Sequence, residues 1–501
     1  MKKGKKIVSN IFYYFLDFLV VTIFGYLFWI ITGNLLNKYQ YGILFTIVSL
    51  FYILFSITTL GLNEALIKFI PEFLKKKKLG EVKSIINFSV KVTLSFSAII
   101  SIFIYLFSDY ISLLFYNSVE LSLSLKAFTL ILFTGSIMTI FKSILQGFQK
   151  FKEMFLADFI GQFIKILTAV VLILIGFQII GGIFSWFFWF LSIMIIALFF
   201  IRSIKMKKAE QFNKRLFLRF GLLSVFSLLS FYLIIQGGII VLSLLSSFES
   251  VSLLGVAYIF GQLITALPSV ITTSIFPSLS ELWVREKRKF NRLVSISIKS
   301  IFLTVLPFTI FLIFFSENII SLLYPESFLI ASFLFPGMLS ASFLLGLSTL
   351  LLITLYSAHK PQQRMFILFL GMVVNVTLLF ILIPFFDAQG AVLAYLISQL
   401  IILGLSLFFV NKIVKFRFSK RNTLIILVNI ILFLMLYFIS LIPYPLLFII
   451  LIIFTIFFYI FLLFLFKVFS KKDLLLLDYI PNKFGFKKVK NIIIKLVNFF
   501  D

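Results

Sequence analysis

The sequence predicts an all-α polytopic membrane protein with about fourteen transmembrane helices, grouped as two pseudo-symmetric six-helix lobes plus two C-terminal helices. Three observations predict it. Of 501 residues, 62% are hydrophobic and 13% charged, which is too little polar surface to cover a soluble core of that size. The apolar residues fall in runs long enough to cross the hydrocarbon core, which takes ~20 helical residues. Basic residues gather at every second connection, as the positive-inside rule requires.

To within a few residues the runs are 9–33, 41–61, 84–107, 122–146, 156–176, 179–201, 217–245, 252–279, 294–315, 329–357, 365–384, 389–411, 423–442 and 445–467. Continuous runs of this length exclude β-barrel strands, which alternate over about ten residues.

On one side the connections hold Lys75 to Lys78 with Lys83; Lys150 and Lys152; Lys205, Lys207, Lys208, Lys214 and Arg215; Arg285, Lys287, Arg288, Lys289 and Arg292; Lys360 and Arg364; and Lys412, Lys415, Arg417, Lys420 and Arg421. The N-terminal Lys2, Lys3, Lys5 and Lys6 fall on the same side. The other side carries Lys38, Asp109, Glu120, Glu249, Glu317, Glu326 and Asp387. The alternation places both termini in the cytoplasm, with the protein in the cell membrane. The net charge of +27 follows from these loops and their contact with anionic headgroups, so no nucleic-acid partner is expected.

Cysteine is absent and His359 is the single histidine, which excludes disulfides and thiolate metal sites and argues against a histidine metal or catalytic centre. No cofactor is expected. The basic start, MKKGKK, precedes an apolar run with no small-residue cleavage site, and reads as an uncleaved first span.

No connection is long enough for a folded soluble domain; the largest external one runs from Ser108 to Leu121. In the tail, Val489, Ile492, Ile493, Leu496 and Phe500 recur at helical spacing opposite Lys487, Lys488, Lys490 and Lys495. That pattern predicts an amphipathic helix on the anionic cytoplasmic leaflet, with docking on the protein's own loops as the alternative. The expected organisation is an N-lobe over 1–205, a C-lobe over 206–412, two spans over 413–468 and a cytoplasmic tail over 469–501.

The lobes read as repeats. The segment from Ile144 to Trp186 can be laid on that from Thr354 to Tyr395 at an offset of roughly 210 residues. Lys150 then meets Lys360, Gly161 meets Gly371 and Gly182 falls beside Gly390; the basic loops after Pro71 and Pro277 correspond, and Gly42 corresponds to Gly255. Six spans return the chain to its starting side, so the copies share an orientation and enclose a central cavity, the architecture of an alternating-access transporter.

NLLNKYQYGILFTIVSLF from Asn34, LGLNEALIKFIPEFL from Leu60, SILQGFQKFKEM from Ser143, SIFPSLSELW from Ser274 and LIPFFDAQGAVLAYLIS from Leu382 resemble, in the usual order, the polysaccharide-biosynthesis flippases of the MOP (MATE-like) exporter superfamily. The similarity reaches to about Lys467. The resemblance implies a V-shaped, MATE-like pair of bundles. It implies transport of a polyprenyl- or dolichyl-(di)phosphate-linked oligosaccharide from the inner to the outer leaflet; H⁺ or Na⁺ is the candidate coupling ion, with the membrane potential as the alternative driving force.

An ionisable group inside a span costs on the order of 2.5–3.5 kcal/mol on insertion scales, so each needs a partner or a wet cavity. Asp17 lies deep in the first span and is too short to snorkel; Lys165 sits mid-span in the fifth. Both are read as cavity residues, with Asp17 a partner for Lys165 and a structural hydrogen bond as Asp17's alternative. Lys91 and Lys126 lie nearer helix ends and can snorkel. Gln236, Gln262, Asn375 and Gln399 either line the cavity or bond between helices. Asn63, Glu64 and Lys68 stand at the inner mouth, with Glu64 and Lys68 spaced for a local salt bridge or for a substrate phosphate. Lys68, Lys91 and Lys165 would supply a cationic groove for the headgroup while the isoprenoid stays in lipid. No catalytic constellation is evident. The competing readings are a cation-coupled MATE-type multidrug exporter, which benefits from buried carboxylates, and a membrane glycosyltransferase or polymerase, which needs a large external loop.

Overall fold

The computed structural model describes residues 2–116, 118–204, 206–414, 420–440 and 445–466. Every regular element among them is a helix. The described residues up to Ile259, with Leu323–Leu334 and Leu368–Ser398, form one compact unit; Phe260–Leu322, Phe335–Ile367 and the described residues from Gln399 onward form a second. The tail expected to be amphipathic lies outside the described residues.

The helices are α1 (Lys2–Leu35), α2 (Lys38–Thr58), α3 (Leu62–Lys75), α4 (Leu79–Tyr116), α5 (Val119–Gly147), α6 (Phe151–Leu172), α7 (Gln178–Arg202), α8 (Lys214–Leu245), α9 (Phe248–Arg285), α10 (Lys287–Phe314), α11 (Ser316–Leu323), α12 (Phe335–Ser357), α13 (Pro361–Asn411), α14 (Lys420–Ser440) and α15 (Pro445–Leu465). Ten helical stretches among the described residues are long and apolar enough to cross a membrane.

Two of those stretches, Phe151–Arg202 and Pro361–Asn411, have 52 and 51 residues. A straight helix of that length would measure about 75 Å, far more than one crossing needs. Both fold back. The first breaks where Gly176 has φ 101° and Gln178 has φ 45° and ψ −126°; the second breaks at Asp387, with φ 51° and ψ −132°. A Cβ on Gly181 would sit 2.9 Å from the backbone carbonyl carbon of Leu172, and one on Gly390 would strike the carbonyl of Leu382, so the arms touch backbone to backbone beside each break. Across the second hairpin Asn375 Nδ2 donates to Ser398 Oγ at 3.1 Å.

Matching turns and caps recur along the chain about 210 residues apart. After α5, Gln149 N–H donates to Gln146 O and Lys150 N–H to Leu145 O, both at 2.9 Å; after α12, His359 N–H donates to Tyr356 O at 3.2 Å and Lys360 N–H to Leu355 O at 3.0 Å. Both are Schellman closures, and both place a non-glycine residue in the left-handed region: Gln149 at φ 58° and His359 at φ 57°. Asn37 caps α2 by accepting from Gln40 N–H at 2.9 Å, and Ser247 accepts from Ser250 N–H at 3.2 Å at the head of α9. Each break residue is tied to the same helix start. Gln40 Nε2 donates to Gln178 Oε1 at 2.7 Å, while Asp387 accepts from Ser250 Oγ and Ser246 Oγ.

All these pairs share the expected offset of roughly 210 residues. In that register Gly42 aligns with Ser252 rather than with Gly255. The two glycines serve one contact from opposite sides. A Cβ on Gly42 would strike the backbone of Phe248, and one on Gly255 would stand 2.7 Å from the Phe45 ring.

The first unit packs Leu62, Leu66 and Ile70 of α3 against Ile85 of α4, Ile140 and Ile144 of α5, and Ala197 and Ile201 of α7. Its other interior is aromatic: the Trp29 ring stacks on Phe45 with centroids 3.8 Å apart. In lipid such packing stabilises through dispersion more than through expulsion of water. Between α2 and α3 the chain turns through Leu60 (φ 48°) and Gly61 (φ 64°). A Cβ on Gly61 would collide with the carbonyl of Gly221 on α8, so glycine is required by conformation and by contact. In the second unit, Ile310 and Phe315 pack with Leu432, Leu436 and Ile439, and Ile425 and Val428 with Leu462 and Leu463.

Candidate functional site

Helix α6 carries three polar residues, Asp158, Gln162 and Lys165, spaced to share one face. Their exposures are 1%, 1% and 2%. That face is enclosed because α6 packs along α1 and α7, and it forms a polar seam in otherwise apolar helices.

At one end of the seam Lys142 Nζ of α5 stands 2.6 Å from Asp158 Oδ2. Asp17 of α1 lies against Asp158 and within electrostatic reach of Lys142. Tyr14 adjoins this cluster, and Glu64 of α3 interacts with Tyr14. Two buried carboxyl groups therefore lie together in the field of one lysine, which pairs with Asp158 and is itself 30% exposed.

At the other end Lys165 enters an aromatic cage. Its Nζ is 3.9 Å from the centroid of Trp186, 4.1 Å from Phe28 and 4.4 Å from Trp189. Desolvated cation–π contacts are worth about 2 kcal/mol or more, and the cage is what holds the ammonium inside the bundle. Among the described residues no carboxylate lies within ion-pairing distance of it. The expected Asp17–Lys165 pair is thus not formed: Asp17 is taken up by Lys142 and Asp158, and the rings attend Lys165.

Along the seam, Asp17 Oδ1, Asp158 Oδ1, Gln162 Oε1, Trp186 Nε1 and Trp189 Nε1 are buried and make no hydrogen bond among the described residues. Native interiors seldom leave such groups unpaired. Acceptors gather near Asp17 and donors near Lys165, so the seam offers polar contacts of both kinds to solvent, an ion or a polar headgroup.

The other expected residues are dispersed. Asn63 is 7% exposed, with Oδ1 unpartnered among the described residues. Lys68 is exposed, its Nζ 4.0 Å from the Phe220 centroid and 5.1 Å from Phe69. Lys91 is exposed on α4. Lys126 Nζ reaches both carboxylate oxygens of Asp109 at 2.9 Å, an exposed pair. Gln236 uses both ends of its amide inside the first unit, accepting from Ser49 Oγ and donating to Tyr258 OH, each at 2.9 Å. Asn375 uses its Nδ2 within the hairpin, while its Oδ1 is unpartnered among the described residues.

Sequence reasoning missed Lys142 and the cage. Lys142 and Asp158 each resemble a residue near a helix end. They lie at equal distance before and after Lys150, however, and residues equidistant from the turn of a helical hairpin face each other. That symmetry was the available signal.

Residues 7–283, more than half of the chain, match the family described as Polysaccharide biosynthesis protein. The chain belongs to the polysaccharide biosynthesis protein family. The match agrees with the resemblance carried by its loop and helix-end residues.

The chain is 23% identical over 456 residues, covering 86% of its own length and 89% of the relative, to "Uncharacterized membrane protein MJ1068" of Methanocaldococcus jannaschii. Its fold is that of the lipid II flippase MurJ in an inward closed conformation, with TM-score 0.69, 18% identity, and coverage of 89% of this chain and 97% of that one. It also matches an inward-facing multidrug resistance MATE family transporter of the MOP superfamily, with TM-score 0.64, 15% identity, and coverage of 80% and 95%. The family member is thus a multi-pass, all-helical membrane protein with the MurJ/MATE fold.

Proposed function

We propose that this protein is a flippase that moves a polyprenyl- or dolichyl-(di)phosphate-linked oligosaccharide from the inner to the outer leaflet of the cell membrane by alternating access, for cell-surface glycan biosynthesis. The observation that carries the reading is the buried seam from Asp17, Lys142 and Asp158 to Lys165. A scaffold has no use for three buried ionisable side chains, with a fourth at their edge, inside its spans, whereas a path for a charged, hydroxyl-rich headgroup requires them. Family membership and the fold shared with a lipid II flippase support the same class.

The reading includes the finer organisation. Taking each of the two long hairpins as two crossings, and α14 and α15 as one each, supports fourteen spans, and the repeated turns support two six-helix lobes over 1–205 and 206–412 with cytoplasmic termini. Asp17, Lys165, Asn63, Glu64 and Lys68 would face the headgroup path, with Lys91, Gln236 and Asn375 as further lining. The isoprenoid stays in lipid, so no bond of the substrate is made or broken.

The Asp17–Asp158 pair gives one specific argument for the multidrug reading, since buried carboxylates suit H⁺ or Na⁺ coupling. Reconstitution separates the two. Proteoliposomes carrying the protein should expose a fluorescent lipid-linked oligosaccharide to an external quencher faster than empty liposomes do. Proton- or sodium-driven export of cationic dyes with no movement of the oligosaccharide would overturn the reading.

A further inference from the structure

Helices α2 and α8 run antiparallel along one contact that is pinned at two places. Ser49 Oγ donates to Gln236 Oε1 at 2.9 Å toward one end, and Gly61 meets the carbonyl of Gly221 toward the other. Between these pins the Tyr52 and Tyr232 rings lie nearly parallel, 18° apart with centroids separated by 5.7 Å, within the range of favourable aromatic pairs. Trp186 stands edge-on to Tyr52 at 6.3 Å and Phe55 edge-on to Tyr232 at 5.3 Å, so neighbouring rings hold both in place.

The pair is polar as well as aromatic. Both tyrosines are half-buried, and among the described residues neither hydroxyl has a hydrogen-bond partner. Lys142 of α5, 30% exposed, lies within electrostatic reach of Tyr52 and of Asp17, and Glu64 of α3 within reach of Tyr232. Helices α1, α2, α3, α5 and α8 thus bring two aromatic rings, a lysine and carboxyl groups to one region of the interior.

That mixture selects its occupant. A hydrocarbon chain would strand the hydroxyls and charges without partners. A phosphate would find the lysine already answered by Asp158, with the Asp17 carboxyl beside it. A sugar ring matches both kinds of surface: its C–H face packs on an aromatic ring, and its hydroxyls donate and accept at once. They suit the tyrosine hydroxyls, the Lys142 ammonium and Asp17 Oδ1, which is unpartnered among the described residues.

We propose that Tyr52 and Tyr232 form the subsite that holds a sugar ring of the lipid-linked oligosaccharide and makes transport depend on the glycan. The inference rests on the flippase reading and deepens it, because it separates recognition of the sugar from the cationic Lys165 end of the seam.

The test is equilibrium binding to the full chain in nanodiscs of neutral lipid. The probes are fluorescent short-chain polyprenyl diphosphates, either bare or carrying glucose, galactose or N-acetylglucosamine. Wild type should bind at least one sugar-bearing lipid about tenfold more tightly than the bare one. Tyr52→Leu and Tyr232→Leu should each remove about tenfold of that affinity, the scale of one aromatic contact, and leave the bare lipid unaffected. Tyr52→Phe and Tyr232→Phe keep the ring and should each lose only about threefold, the scale of one hydroxyl contact. If the leucine variants do not fold, the double phenylalanine variant decides, with an expected loss of about tenfold. No preference for any sugar in wild type, or an unchanged preference in the variants, would overturn the proposal. Equal weakening of bare and sugar-bearing lipids would mark a purely structural pair and overturn it too, as would leucine variants that lose a cationic dye while keeping the sugar-bearing lipid. A wild type that prefers a sugar-bearing lipid but moves none across the bilayer overturns the flippase reading and keeps the subsite; a wild type that moves bare and sugar-bearing lipids alike does the reverse.

Discussion

Lys142 and Asp158 face each other across the α5–α6 hairpin, with Nζ 2.6 Å from Oδ2 and the carboxylate 1% exposed. The pair closes one end of the buried seam and brings Asp17 of α1 into the same cluster. Removing the lysine leaves a buried carboxylate without its cation, which costs about 3–5 kcal/mol. Lys142→Met should therefore lower the unfolding temperature sharply. Lys142→Met with Asp158→Leu should restore most of it, as read in a double-mutant cycle of thermal melts in detergent.

Lys165 should behave oppositely. Its ammonium is held by rings and desolvated, so replacing it by an apolar residue of similar shape removes a buried charge along with its cation–π contacts. Lys165→Met should melt within about 1 kcal/mol of wild type yet lose at least about tenfold in oligosaccharide movement, whereas Trp186→Ala should lose stability through the missing ring. Equal loss of stability in both would make the lysine structural.

The turns predict stabilising changes. Gln149 and His359 occupy the left-handed region in matching helix-end turns, at about 1 kcal/mol each for a side chain that glycine would not carry. Gln149→Gly and His359→Gly should each raise the melting temperature without changing transport. Gly61→Ala should do the reverse, because its φ of +64° is already left-handed and its Cβ would meet the carbonyl of Gly221. Little folded protein is expected from that variant.

Sidedness follows from the charge pattern. Accessibility tags at Glu249 and Asp387 should react from outside the cell and tags at Lys76 and Lys287 from inside. An exchange between the sets would displace the span assignment from that point onward.

These expectations divide by what a linear sequence carries. Span positions, loop charge and the repeat offset depend on local composition, and the offset reappears in hydrogen-bonded turns at Gln149 and His359 and in breaks at Gln178 and Asp387. Asp17 and Lys165 stood out because each is isolated in an apolar run. Their partners did not, because partnership depends on which helix faces pack: α6 lies against α1 and α7, which gives Asp17 to Asp158 and Lys165 to Trp186. The Gly42–Gly255 pairing failed because similar apolar segments can slide by a few residues, whereas capping bonds fix the register.

The most direct measurement is the rate at which reconstituted wild type and Lys165→Met, matched for melting temperature, expose a fluorescent polyprenyl-diphosphate oligosaccharide to an external quencher. A wild-type rate well above empty liposomes and at least about tenfold above the variant is the result expected for a buried cationic seam. Equal rates for the two proteins, or a wild type no faster than lipid alone, would contradict it.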